Sequence, residues 1–244
     1  MRGAGIELSD IIRIVDLAGV LANAILGGIV ARAAKTDLVG FVILAILSGL
    51  GGGMIRDVLL QQGPPVALTD PYYLVVAIVG AAIAFFIPFK SQRSRVPLLL
   101  LDSLAIGCWA AVGAQKGLIA GLGWLPAILL GIVTAIGGGM VRDVLVMRVP
   151  AVFGGSVLYA TSAFLASVEM VVLSSIGYPE IGTLVAILTA ASVVLISRRL
   201  GLVLPTGLEI KRPKFPANWR RRWWSGKSSA SRPTGSGDVH KDTM

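Results

Sequence analysis

The chain holds one cysteine, Cys108, and one histidine, His240, in 244 residues. A single thiol forms no internal disulfide, and a single imidazole in a polar tail builds no metal centre. The shortage of histidine also leaves no Ser-His-Asp set. No Gly-rich phosphate loop of the Walker type occurs. The sequence is therefore read as that of a non-enzyme without a cofactor. Charge is scarce as well, at 14% of residues, and acids are fewer than bases, 13 against 22. What abounds is apolar: 55% of residues, with a mean hydropathy of +0.81. That composition is too apolar for a soluble domain of this length and indicates a polytopic membrane protein.

The net charge of +9 does not point to nucleic acid, because eleven of the 22 Lys and Arg residues lie from Arg198 onward. A basic tail directly after an apolar segment is expected to rest on anionic lipid. Trp219, Trp223 and Trp224 interleave there with Arg220, Arg221 and Arg222. Residues 201–244 are expected to form a largely disordered cytoplasmic tail.

Seven apolar segments approach the roughly 20 residues that a hydrocarbon core requires. They cover residues 11–31, 38–60, 71–89, 96–116, 122–147, 151–174 and 181–196. The runs are continuous rather than alternating, which favours helices over a barrel. Arg13 and Asp16 interrupt the first, so it is read as a retained helix and not a signal peptide. Loops one, three and five and the tail carry the bases; the alternate loops are nearly neutral. The bias places the N-terminus outside and the C-terminus in the cytoplasm of a multi-pass inner-membrane protein. Seven spans satisfy that parity.

One stretch occurs twice. Gly51-Gly52-Gly53-Met54-Ile55-Arg56-Asp57-Val58-Leu59 returns as Gly137-Gly138-Gly139-Met140-Val141-Arg142-Asp143-Val144-Leu145, 86 residues later. The same shift carries Asp16 onto Asp102, Gly27 onto Gly113, Pro64 onto Pro150 and Tyr73 onto Tyr159 without a gap. The chain reads as two homologous three-helix repeats, 11–89 and 96–175, and a seventh helix, 181–200. Three spans is an odd number, so the second repeat enters from the opposite side and the repeats are inverted.

Three successive glycines cost about 1 kcal/mol each against Ala in a helix. Each charge at bilayer depth adds about 2.5–3.5 kcal/mol. A sequence that carries both features twice is expected to use them. Inversion sets Asp16, Arg56 and Asp57 at one end of a central path and Asp102, Arg142 and Asp143 at the other. The glycine triplets lie between them, where bends and free carbonyls are expected to line water. The acids would attract cations; Arg56 and Arg142 would hold them or latch a gate. The other use of such glycines is close helix packing, as in Gly49-x-x-x-Gly53 and Gly113-x-x-x-Gly117. Lys116 reads as an interfacial lysine or as part of the path. Asn23, Ser48 and Thr134 are expected to bond neighbouring helices.

With these residues in view, the duplicated Gly-Gly-Gly-Met-x-Arg-Asp-Val-Leu segment resembles the bacterial trimeric intracellular cation (TRIC) channels. That family overlaps the bacterial glycine-transporter-like membrane proteins. The resemblance covers about residues 8–200. It implies homotrimers with a pore in each protomer, between segments one, two, four and five. Segments two and five would kink at Gly51, Gly52, Gly53 and at Gly137, Gly138, Gly139. Potassium and sodium would permeate with weak discrimination. In animal members a basic residue on the fourth helix joins the gate and lipid binding. Lys116 lies late on that segment, but Gln115 and Gly117 depart from the animal Lys-Glu-Val pattern. Three functions compete: a passive cation channel, a secondary transporter of a small zwitterion such as glycine, and a lipid-binding structural protein. The last leaves both repeats unexplained.

Overall fold

The computed structural model describes residues 8–87, 95–153 and 159–200. The expectations for the tail, residues 201–244, lie outside the described residues. The described residues form eight helices: α1 (Leu8–Ala33), α2 (Leu38–Leu60), α3 (Val66–Thr69), α4 (Pro71–Phe86), α5 (Arg95–Ile119), α6 (Trp124–Leu145), α7 (Tyr159–Ser175) and α8 (Pro179–Leu200). Five of them, α1, α2, α5, α6 and α8, are long and apolar enough to cross a membrane; α4 and α7 are apolar but shorter.

Local chemistry sets the helix ends. Asp37 caps α2 by accepting from the Gly40 amide at 2.7 Å. Asp70 caps α4 by accepting from the Tyr72 amide at 3.0 Å, with Pro71 in the first turn where its missing N–H costs nothing. The two halves keep the same punctuation. Lys35 and Gly121, 86 residues apart, both take positive φ ahead of α2 and α6; Gln61 and Met147, also 86 apart, both take it behind them. The four-residue α3 was not foreseen. Of the segment expected at 151–174, residues 151–153 form a turn and the described helix begins at Tyr159. The last helix reaches both ways beyond the apolar run, to Pro179 and Leu200.

α1, α2, α5 and α6 pack into one core, where α2 crosses α6 at the two glycine triplets. The large apolar side chains at Val58, Leu59, Val144 and Leu145 face outward. Their small neighbours, Gly51, Gly52, Gly137 and Gly138, face inward and are buried. Neither helix is interrupted at its triplet. Equivalent contacts recur across the crossing. A methyl added at Gly52 would strike the Thr134 carbonyl oxygen; one added at Gly138 would strike that of Ser48, the residue equivalent to Thr134. The first two glycines of each triplet thus let two backbones touch. α1 and α5, themselves equivalent, run past each other in opposite directions. Asp16 meets Lys116, and further along α1 Gly19 meets Trp109, which is earlier on α5.

Candidate functional site

The third glycine of each triplet behaves differently from the first two. A side chain at Gly53 would meet only the Arg56 guanidinium, at 3.5 Å, and one at Gly139 only that of Arg142, at 3.6 Å. One helical turn after the crossing, each arginine folds back beside the glycine.

Around Arg56 the structure assembles a closed charge cluster. Its Nη1 and Nη2 donate to the two carboxylate oxygens of Asp16 at 3.2 and 3.0 Å, and its Nε donates to Asp57 Oδ1 at 2.8 Å. The fork geometry of guanidinium permits this double pairing. Tyr73 Oη, from α4, donates to Asp16 Oδ2 at 3.0 Å. Lys116 Nζ, from α5, stands 3.7 Å from both Asp16 Oδ2 and Asp57 Oδ1. Asp57 Oδ2 accepts from the Val66 amide at 3.0 Å, which ties the start of α3 to the cluster. Two carboxylates and two cations balance, so the cluster carries no net charge, and its pairing offsets the desolvation that burial imposes.

The second half repeats the local part of this arrangement. Arg142 Nε donates to Asp143 Oδ1 at 3.0 Å, and Asp143 Oδ2 accepts from the Ala151 amide at 3.0 Å. Asp102 and Tyr159, the equivalents of Asp16 and Tyr73, line one cavity with Arg142, Asp143 and Gly139. The position equivalent to Lys116 is Val30. Two carboxylates therefore face one cation among the described residues lining this cavity.

Three cavities follow the clusters. The first, about 470 Å³, is lined by Asp57, Asp70, Tyr73, Arg13 and Lys116 together with apolar residues such as Ile12 and Leu60. Beneath it lies a void of about 10 Å³ against Asp16, Gly53, Arg56 and Tyr73. The second cavity, on the other triplet, is about 50 Å³. Space for a single water needs roughly 10–15 Å³, so only the first is roomy.

All the site residues expected from sequence fall on these cavities or on the crossing between them. Lys116 joins the first charge cluster and is not a free interfacial lysine. Asn23 and Thr134 correct the expectation of bonds between helices: each donates to its own helix, to the carbonyls of Gly19 and Leu130. Four features escaped the sequence reading. Tyr73 was visible only as one half of a repeated tyrosine. Asp70 pairs with Arg13 at 2.8 Å. Trp109 is completely buried. Glu169 on α7 buries an Oε2 with no hydrogen-bond partner among the described residues. An acid inside an apolar helix was the available signal for Glu169.

Apolar helices with inward-facing, paired Arg-Asp clusters at both ends of a glycine crossing define a polytopic membrane transport protein. Comparison with known proteins agrees. A sequence model of the family described as Glycine transporter matches twice, over residues 13–88 and 99–175. The chain belongs to this family, which shares its fold with the bacterial TRIC channels. A UPF0126 membrane protein of Deinococcus radiodurans is 38% identical over 149 residues, covering 61% of this chain and 69% of that one. The UPF0126 inner membrane protein YadS of Escherichia coli K12 is 31% identical over 175 residues, covering 66% and 84%. The TRIC trimeric intracellular cation channel orthologue from Rhodobacter sphaeroides superposes with a TM-score of 0.73 at 30% identity, covering 79% of this chain and 99% of that one. The two UPF0126 relatives are described as membrane proteins, and the Rhodobacter protein as a cation channel.

Proposed function

We propose that the protein is a cation channel that conducts potassium and sodium through a path inside each protomer. The observation that carries this reading is the pair of cavities with acids on their walls, set on either side of the α2–α6 crossing. Carboxylates at both ends of a path raise the local cation concentration and exclude anions. The likeness to the Rhodobacter channel supports the reading.

Seven helices cross the membrane in this proposal, α3 being a surface turn. α4 and α7, with 16 and 17 residues, are about 24–26 Å long, which local thinning of the bilayer accommodates. The opposed run of α1 and α5 supports inverted repeats, with the N-terminus outside and the basic C-terminus in the cytoplasm. The membrane is the inner membrane, as for the Escherichia coli relative. Protomers assemble as trimers in contact with lipid.

Recording purified protein in planar bilayers with asymmetric KCl tests the proposal. The current is expected to reverse near the potassium equilibrium potential. Asp57→Asn and Asp143→Asn should each change unit conductance while leaving the oligomer intact; wild-type current in both variants rejects the assigned path.

A second reading has one observation in its favour. The first cavity presents acids (Asp57, Asp70) and bases (Arg13, Lys116) together, as a zwitterion such as glycine requires. Saturable, coupled glycine uptake without single-channel current would select it.

A further inference from the structure

Trp109 occupies a socket built by three other helices. A methyl at Gly19 of α1 would fall on its indole Nε1. One at Gly52 of α2 would lie 3.2 Å from Cε3, and one at Gly138 of α6 3.0 Å from Cζ3. Each helix thus gives up a side chain where the ring sits.

That position divides the cavities. On α5, Lys116 lines the first cavity, Asp102 and Ile106 line the second, and Trp109 lies between them. On α1, Asp16 borders the void beneath the first cavity and Asn23 lines the second, with Gly19 between. On α2, Gly52 adjoins Gly53, which borders that void; on α6, Gly138 adjoins Gly139, which lines the second cavity. The ring is 0% exposed, and its N–H has no hydrogen-bond partner among the described residues. An unpaired buried donor is costly and rare in a finished core. The equivalent residue in the first repeat is Asn23, so the second repeat alone supplies this bulk.

We infer that Trp109 is the partition between the two cavities and the residue that sets the size of cation able to pass. The inference rests on the channel reading for its conductance test and on the fold alone for its accessibility test. The full-length wild type and the Trp109→Phe, Trp109→Leu and Trp109→Ala variants are recorded in planar bilayers with potassium and with tetramethylammonium. Unit potassium conductance is expected to rise in the order Phe, Leu, Ala, by about twofold or more in Ala, and tetramethylammonium current is expected to appear. Wild-type conductance in Leu and Ala, with tetramethylammonium still excluded, overturns the inference.

Should the smaller variants not fold, labelling decides. In a Cys108→Ala background that retains Trp109, Leu60→Cys, on the first cavity, and Gly139→Cys, on the second, are exposed to a membrane-impermeant thiol reagent in oriented vesicles. Each is expected to react from one face only, and the two from opposite faces; reaction of both from the same face overturns the inference. A wild type without current, but with opposite-sided labelling, rejects the channel reading and leaves the partition standing.

Discussion

Arg56 and Arg142 occupy equivalent positions and differ in enclosure. The Arg56 side chain is 1% exposed and bonded to two acids, whereas that of Arg142 is 14% exposed. Removing one partner of a buried ion pair costs roughly 3–5 kcal/mol, because the other is left uncompensated. Arg56→Met is therefore expected to lower the thermal unfolding temperature of the purified protein, and Arg142→Met to lower it less. Equal losses would mean that the two clusters are equally dry. Lys116 makes the second difference. It stands 3.7 Å from both Asp16 and Asp57, where the second half has Val30 at the equivalent position. Lys116→Met leaves the first cluster with one cation fewer and is expected to raise unit potassium conductance; wild-type conductance in that variant contradicts its place on the path.

At the scale of the element, α2 and α6 meet backbone to backbone, and their glycines divide by face. Gly52 and Gly138 have no room for a methyl without shifting a main-chain carbonyl and the Trp109 ring. Gly52→Ala and Gly138→Ala are expected to cost more than the ~1–3 kcal/mol of ordinary overpacking. In size-exclusion chromatography they should run as aggregated or dissociated protein. Gly53→Ala and Gly139→Ala meet only the end of an arginine and should fold; a serious loss in those two would show the third glycine to be a packing residue like its neighbours. α2 and α6 run through their triplets as continuous helix. Close approach of the helices offsets the poor helix propensity of glycine there.

At the scale of the molecule, two similar halves make an unequal whole. The first cavity holds about 470 Å³ and the second about 50 Å³. The halves also differ at residues that the repeat does not share, Lys116 against Val30 and Trp109 against Asn23. The outward apolar faces of α2, α4 and α6 leave wide surface for lipid or for a second protomer. Chemical cross-linking of the protein in its native membrane is expected to stop at trimer. A ladder that ends at dimer would exclude a threefold assembly.

The sequence by itself determined the long apolar helices, the 86-residue duplication and the paired Arg-Asp dipeptides. These are local in nature: hydrophobic runs and repetition are written in consecutive residues. The Asp16–Arg56 contact could be anticipated because the repeat placed both residues at one level. The tertiary structure alone decided which glycines touch a helix and which face a cavity, that Tyr73 and Lys116 complete the first cluster, and that Trp109 stands at the crossing. Those facts depend on the rotation and register of helices far apart in the chain. Packing among many small side chains fixes them, and no single window of sequence carries that information.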